Sequence, residues 1–131
     1  MRAFLNHLKF KIMITQYEVL SLLNEELPSL ENSICPVHLS VSVYKTIHDF
    51  TEYTKKAVQK HHLPMAKKCF RLAAKLYREG DKIVRLCIEN IFIYSFTTLM
   101  PEDRVERLIL QSYIPDNLNA VYIKQVSACS C

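Results

Sequence analysis

Glycine is almost missing from this chain, with one among 131 residues. Tight hairpin turns need it for positive φ, and phosphate or dinucleotide loops need it for close backbone approach. An all-β fold, a dinucleotide-binding fingerprint and a P-loop are set aside on that ground. Strong net charge is missing too: 17 basic residues face 13 acidic ones, for +4. With half the residues apolar, a disordered chain is not expected either. No charge-free apolar run of membrane-spanning length occurs, because Arg85 and Glu89 interrupt the most apolar stretch, 83–100. Lys9 and Lys11 likewise break the N-terminus before a secretory apolar region can form. A cytoplasmic protein with no membrane span is the expectation.

A cysteine framework is also lacking. Cys35, Cys69, Cys87, Cys129 and Cys131 form an odd set without regular spacing, which reads as reduced thiols rather than disulfides. Cys129 and Cys131 sit in a terminal Ser-Ala-Cys-Ser-Cys segment, expected to be a flexible tail over 126–131. No CxxC or paired-His partner accompanies them, so no metal site and no cofactor is expected.

What is present is helical periodicity in a chain of single-domain length. Met13 is an alternative start to Met1, since Thr15 and Glu18 come after it with the spacing of a capping box, flanked by Ile14 and Val19 as a hydrophobic staple. Residues 1–13 then read as an extension. A first helix is expected over 16–27, with Val19, Leu20, Leu23 and Leu27 inward. Pro28 to Ser42 reads as a loop. A second helix over 43–62 carries the stripe Val43, Ile47, Phe50, Thr54, Ala57, Val58 and His61. Pro64 opens a third, over 64–79, with Ala66, Cys69, Phe70, Ala73, Leu76 and Tyr77 on one face. Gly80 stands where a helix C′ position needs positive φ, and Asp81 can cap the next helix. The fourth helix, 82–99, is apolar around most of its circumference, as a central or interface helix is. Pro101 opens a fifth with Val105, Leu108 and Ile109 inward, and a short helix over 117–124 closes the chain. The expected fold is all-α, a bundle of about five helices with the antiparallel hairpin 64–79/82–99 at its centre.

Ala66, Lys67, Lys68, Cys69, Phe70, Arg71, Leu72, Ala73, Ala74, Lys75, Leu76, Tyr77, Arg78, Glu79 and Gly80, followed by Ile88-Glu89-Asn90-Ile91-Phe92-Ile93-Tyr94-Ser95-Phe96, carry a family likeness. Over about residues 43–113 the chain resembles a family of small uncharacterised helical proteins from Bacteroidetes-type bacteria. That resemblance implies a bacterial helical domain and transfers no catalytic residue.

Three features bear on function. Between Lys55 and Arg85 ten basic residues face two acidic ones, a window of +8 that leaves −4 elsewhere. Within it Lys67, Arg71, Lys75 and Arg78 recur at helical spacing with Lys68 beside them, opposite the apolar stripe. Such a face can attract an acidic protein or neutralise phosphates; equally, it can be a solvated helix face built from good helix formers. Neither stacking aromatics nor a polar recognition helix accompanies it, which favours protein over nucleic acid. Second, Glu89 and Asn90 fall in the most apolar segment as candidate buried polar groups; Glu89 is expected to pair structurally, with general-base duty as the alternative. Third, a Cys69–His61 nucleophile pair is conceivable across the turn, but a thiolate on a buried face is disfavoured. The leading expectation is therefore a non-catalytic module working by contact with another protein or a second copy of itself. Nucleic-acid binding through 55–85 is the alternative, and a small enzyme with Glu89 as base comes third.

Overall fold

Four helix starts are set by side chains that accept from backbone N–H groups otherwise left without partners. Ser42 accepts from Lys45 N–H to open α2, Val43–Gln59. Asp81 accepts from Val84 N–H to open α4, 82–99, and Asp103 from Glu106 N–H to open α5, Arg104–Tyr113. His62 does the same for α3, Leu63–Glu79, with its Nδ1 3.3 Å from Met65 N and Pro64 in the first turn. With α1, Val19–Glu26, and α6, Asp116–Cys129, these make six helices in the computed structural model, which describes residues 13–28 and 42–129. The readings of residues 1–12, most of the expected 28–42 loop, Cys35 and Cys131 lie outside the described residues. Among the described residues no helix is long and apolar enough to cross a membrane.

The all-α expectation and most of the inward residues are as found. Val19, Leu23, Leu27, Val43, Ile47, Phe50, Ala66, Cys69, Phe70, Ala73 and Leu76 are all buried. Helix α4 spans 82–99 but is not uniform: an α turn (Lys82–Cys87) gives way to a π turn (Ile88–Phe92), a 3-10 turn (Ile93–Ser95) and a last α turn (Phe96–Leu99). At the centre Phe92 stacks on Phe50 of α2 at 5.1 Å and meets Phe70 of α3 edge-on at 6.1 Å. Phe96 adds edge contacts to Phe70 and Phe92 and leans on Tyr122 of α6. Offset and edge-on ring pairs of this kind contribute beyond the area they bury. Thr51 and Thr54, both buried on α2, donate their hydroxyls to Ile47 O and Phe50 O one turn back, so neither hydroxyl is stranded.

Several expectations are corrected. Gly80 has φ −73°, not a left-handed value. Its backbone forms a parallel bridge with Ile14, in which Ile14 N–H donates to Glu79 O and Asp81 N–H to Ile14 O, both at 2.8 Å. Glycine is needed there for space: a Cβ would lie 2.3 Å from Leu76 O and 2.6 Å from Val84 Cγ1. The left-handed C′ residue is instead His61, φ 58°, at the end of α2. His61 N–H donates to Val58 O and His62 N–H to Ala57 O, the paired bonds of a Schellman turn. That turn carries His61 off the apolar stripe and leaves it exposed. Pro101 does not open α5. Arg107 reaches back to Pro101 O and Glu102 O, holding those residues as a lead-in to the Asp103 cap. The inward face of α5 runs through Glu106, Leu110 and Ile114, so Val105 and Leu108 point outward, 66 % and 57 % exposed. Ile83, Leu86 and Tyr94 of α4 are exposed as well, so that helix is covered on one side only. The closing helix is longer than expected, running through Cys129.

Candidate binding surface

The α3 sequence alternates cation and core residue so that one helix does two jobs. Ala66, Cys69, Phe70, Ala73 and Leu76 fill the interior. Lys67, Lys68, Arg71, Lys75 and Arg78 fall on the far side, about 180° away on a 3.6-residue turn. All five line one open groove of about 630 Å³, together with Pro64, Leu72 and Glu26 from the end of α1. The face read from sequence is thus a concave surface rather than a convex ridge. Glu26, Pro64 and Leu72 were not foreseen in it; Glu26 arrives through the packing of α1, which no local spacing encodes.

The five cations are not equivalent. Lys67 is half-buried, its Nζ 5.1 Å from the Tyr113 ring centre in a cation–π contact. Arg78 is held by neighbouring Glu79 at 3.0 Å. Lys68, Arg71 and Lys75 are exposed and, among the described residues, form no ion pair. The other cations of the basic window stand apart from the groove's lining. Lys55 pairs with Glu52 on α2 at 3.4 Å, and Arg85 stacks over the Tyr77 ring at 5.0 Å.

Glu89 and Asn90 are not the buried pair expected. Asn90 lies two residues from both Ile88 and Phe92, on the opposite side of the turn, and is exposed. Glu89 is half-buried and accepts the Tyr77 hydroxyl at 2.9 Å, while its backbone oxygen takes a bond from Gln125 Nε2. Tyr77 is therefore braced between α3 and α4; burial, and then the Glu89 carboxylate, push its hydroxyl pKa up. A smaller pocket of about 360 Å³, lined by Tyr77, Arg78, Arg85 and Asn117, adjoins this brace. The Cys69–His61 pairing does not form. Burial raises the Cys69 thiol to about 11, against smaller lowering effects of the Thr54 hydroxyl and Lys68. His61 faces outward, with Nδ1 2.8 Å from Glu106. Among the described residues no group of three or more His, Cys, Asp or Glu side chains is placed to hold a metal ion.

A family model described as a domain of unknown function, DUF7674, matches residues 20–128, most of the chain. The chain belongs to that family. The DUF7674 span begins inside α1 and ends inside α6, so it contains the entire α3 groove, the Tyr77–Glu89 brace and the aromatic centre. The Ile14 bridge and the Thr15–Glu18 turn precede it. Comparison with curated proteins and with solved structures gave no match in either case.

Proposed function

We propose that this protein is a non-catalytic interaction module of the bacterial cytoplasm, and that it takes an acidic protein on the groove of α3. The observation that carries the reading is the set of exposed cations that form no ion pair among the described residues, Lys68, Arg71 and Lys75, in a concave surface with an apolar floor at Leu72. Cations left open in a recess raise the local concentration of an anionic partner and steer its approach. The non-catalytic part is supported by where the candidate reactive groups are engaged: Glu89 by Tyr77, His61 by Glu106, Cys69 in the interior. The bacterial setting is supported by the likeness of residues 43–113 to small helical proteins of Bacteroidetes-type bacteria.

Nucleic acid is the second reading, favoured by the same open cations. Two features weigh against it. The carboxylate of Glu26 lies on the groove, where it would repel a continuous polyanion, and the Tyr113 ring face is occupied by Lys67 rather than open for base stacking. Titration of labelled polyglutamate and of duplex DNA across a salt series tests the choice. Polyglutamate should bind at low salt, weaken steeply as salt rises, and be lost in the Arg71→Glu/Lys75→Glu variant. No binding of polyglutamate at low salt refutes the reading.

A further inference from the structure

The open side of α4 carries a stripe of its own. Ile83, Leu86 and Tyr94 are 36 %, 40 % and 71 % exposed, and Asn90 between them is exposed as well. Val84, Cys87, Ile88 and Phe92 of the same helix are buried, so the four lie on the side turned away from the core. The π turn sits in the middle of the stripe and carries Asn90. We infer that α4 packs antiparallel on α4 of a second copy of this chain, about a two-fold axis through Asn90. None of the four residues lines the α3 groove, so this contact stands apart from the acidic-partner reading.

A two-fold contact needs a surface that complements itself after half a turn. About an axis at Asn90, position 86 of one copy meets position 94 of the other. Leu86 then covers the Tyr94 ring of the second copy, and the same contact recurs on the far side of the axis. Asn90 meets Asn90. A carboxamide holds both an acceptor oxygen and two N–H donors, so two facing copies can exchange a pair of hydrogen bonds. A single Asn within an apolar helix seam is a device that fixes register and the number of chains.

Charge at the two ends of the stripe sets the direction. Lys82 is exposed at the N-terminal end, and Glu102 is exposed just past the C-terminal end. Among the described residues neither forms an ion pair. An antiparallel pair brings the cationic end of each helix beside the acidic end of the other, twice over. A parallel pair would set Lys82 on Lys82 and Glu102 on Glu102, which like charges oppose. A different protein would have to supply this whole pattern, whereas a second copy already has it. One helix face falls short of the roughly 800 Å² per partner of a standard interface. The dimer therefore belongs to the weak class, with a Kd of about 10 µM.

Sedimentation velocity of the full chain between about 1 and 100 µM should show a monomer–dimer equilibrium. Leu86→Glu, folded by circular dichroism, should stay monomeric throughout. Crosslinking reads the geometry, in a background with Cys35, Cys129 and Cys131 replaced by Ser. Asn90→Cys, on the axis, should form a disulfide with its own copy under mild oxidation. Leu86→Cys should not, because eight residues at 1.5 Å put the two copies of position 86 about 12 Å apart along the helices, beyond disulfide reach. A dimer that Leu86→Glu leaves intact overturns the inference. Leu86→Cys linking to itself as readily as Asn90→Cys overturns the antiparallel register in favour of a parallel pair. A monomer at about 100 µM overturns the inference too: with Leu86→Cys open to a thiol reagent the face is left to a different protein, and with Leu86→Cys protected its cover belongs to the same chain.

Discussion

At the level of single residues, the two backbone demands of this fold are met by unexpected side chains. The lone glycine serves close packing, and a histidine serves the left-handed turn. Gly80→Ala keeps an allowed φ yet drives a methyl group against Leu76 O and Val84. Overpacking of this kind costs about 1–3 kcal/mol, and urea unfolding should report a loss in that range. His61→Gly should act in the opposite direction. A left-handed conformation costs an L-residue about 1–2 kcal/mol, while the exposed His61–Glu106 contact returns only about 0–1 kcal/mol. The variant should gain up to about 1 kcal/mol, read from the same denaturation curves. The sequence could not assign these roles, because glycine at position 80 comes after a helix in either case. Only the approach of Ile14, far away in the chain, distinguishes space from torsion angle.

Among the elements, α2, α3 and α4 show how far periodicity carries. Apart from His61, which the turn after α2 carries outward, the apolar stripes of α2 and α3 follow the spacing, because each helix packs through one face. Spacing fails for α5, where Glu106 and Arg107 are tied to neighbouring segments by polar contacts and rotate Val105 and Leu108 outward. In α4, apolar on most sides, spacing singles out no inward face, and a π turn sits where Phe92 reaches both α2 and α3. The α2–α3 contact makes a pH prediction. Cys69 is fully buried, and its thiol rises from the ordinary 9.0 to about 11, chiefly by burial. An unfolded chain loses that proton first, so the native state is favoured by the neutral thiol below pH 9 and loses this advantage as pH climbs toward 11. The loss should reach about 3 kcal/mol at most, seen as a fall in denaturation midpoint that is absent in Cys69→Ala. Below pH 9 a thiol reagent should modify Cys69 only on unfolding.

For the molecule as a whole, the +8 window is the clearest functional signal in the sequence, and the fold narrows it. Only the α3 part of the window lines the groove, while Lys55 and Arg85 are engaged elsewhere. Local pattern could place five cations on one helix face. It could not show that Glu26 and Leu72 would turn that face into a recess, since their arrival depends on tertiary packing. The bridge from Ile14 to the α3–α4 joint has a consequence in time as well as in space. Helices α2, α3 and α4 pack on one another within residues 43–99, whereas the bridge brings in Ile14 from outside that span and joins segments at opposite ends of more than sixty residues of chain. Closing so long a loop is entropically deferred until the joint it docks on exists. In pulsed hydrogen-exchange labelling during refolding, the amides of Ile14 and Asp81, both donors in the bridge, should gain protection after those in the middle of α3. The N-terminal segment would then act as the latch on an assembled hairpin, and its opening should be the first step on the way back out.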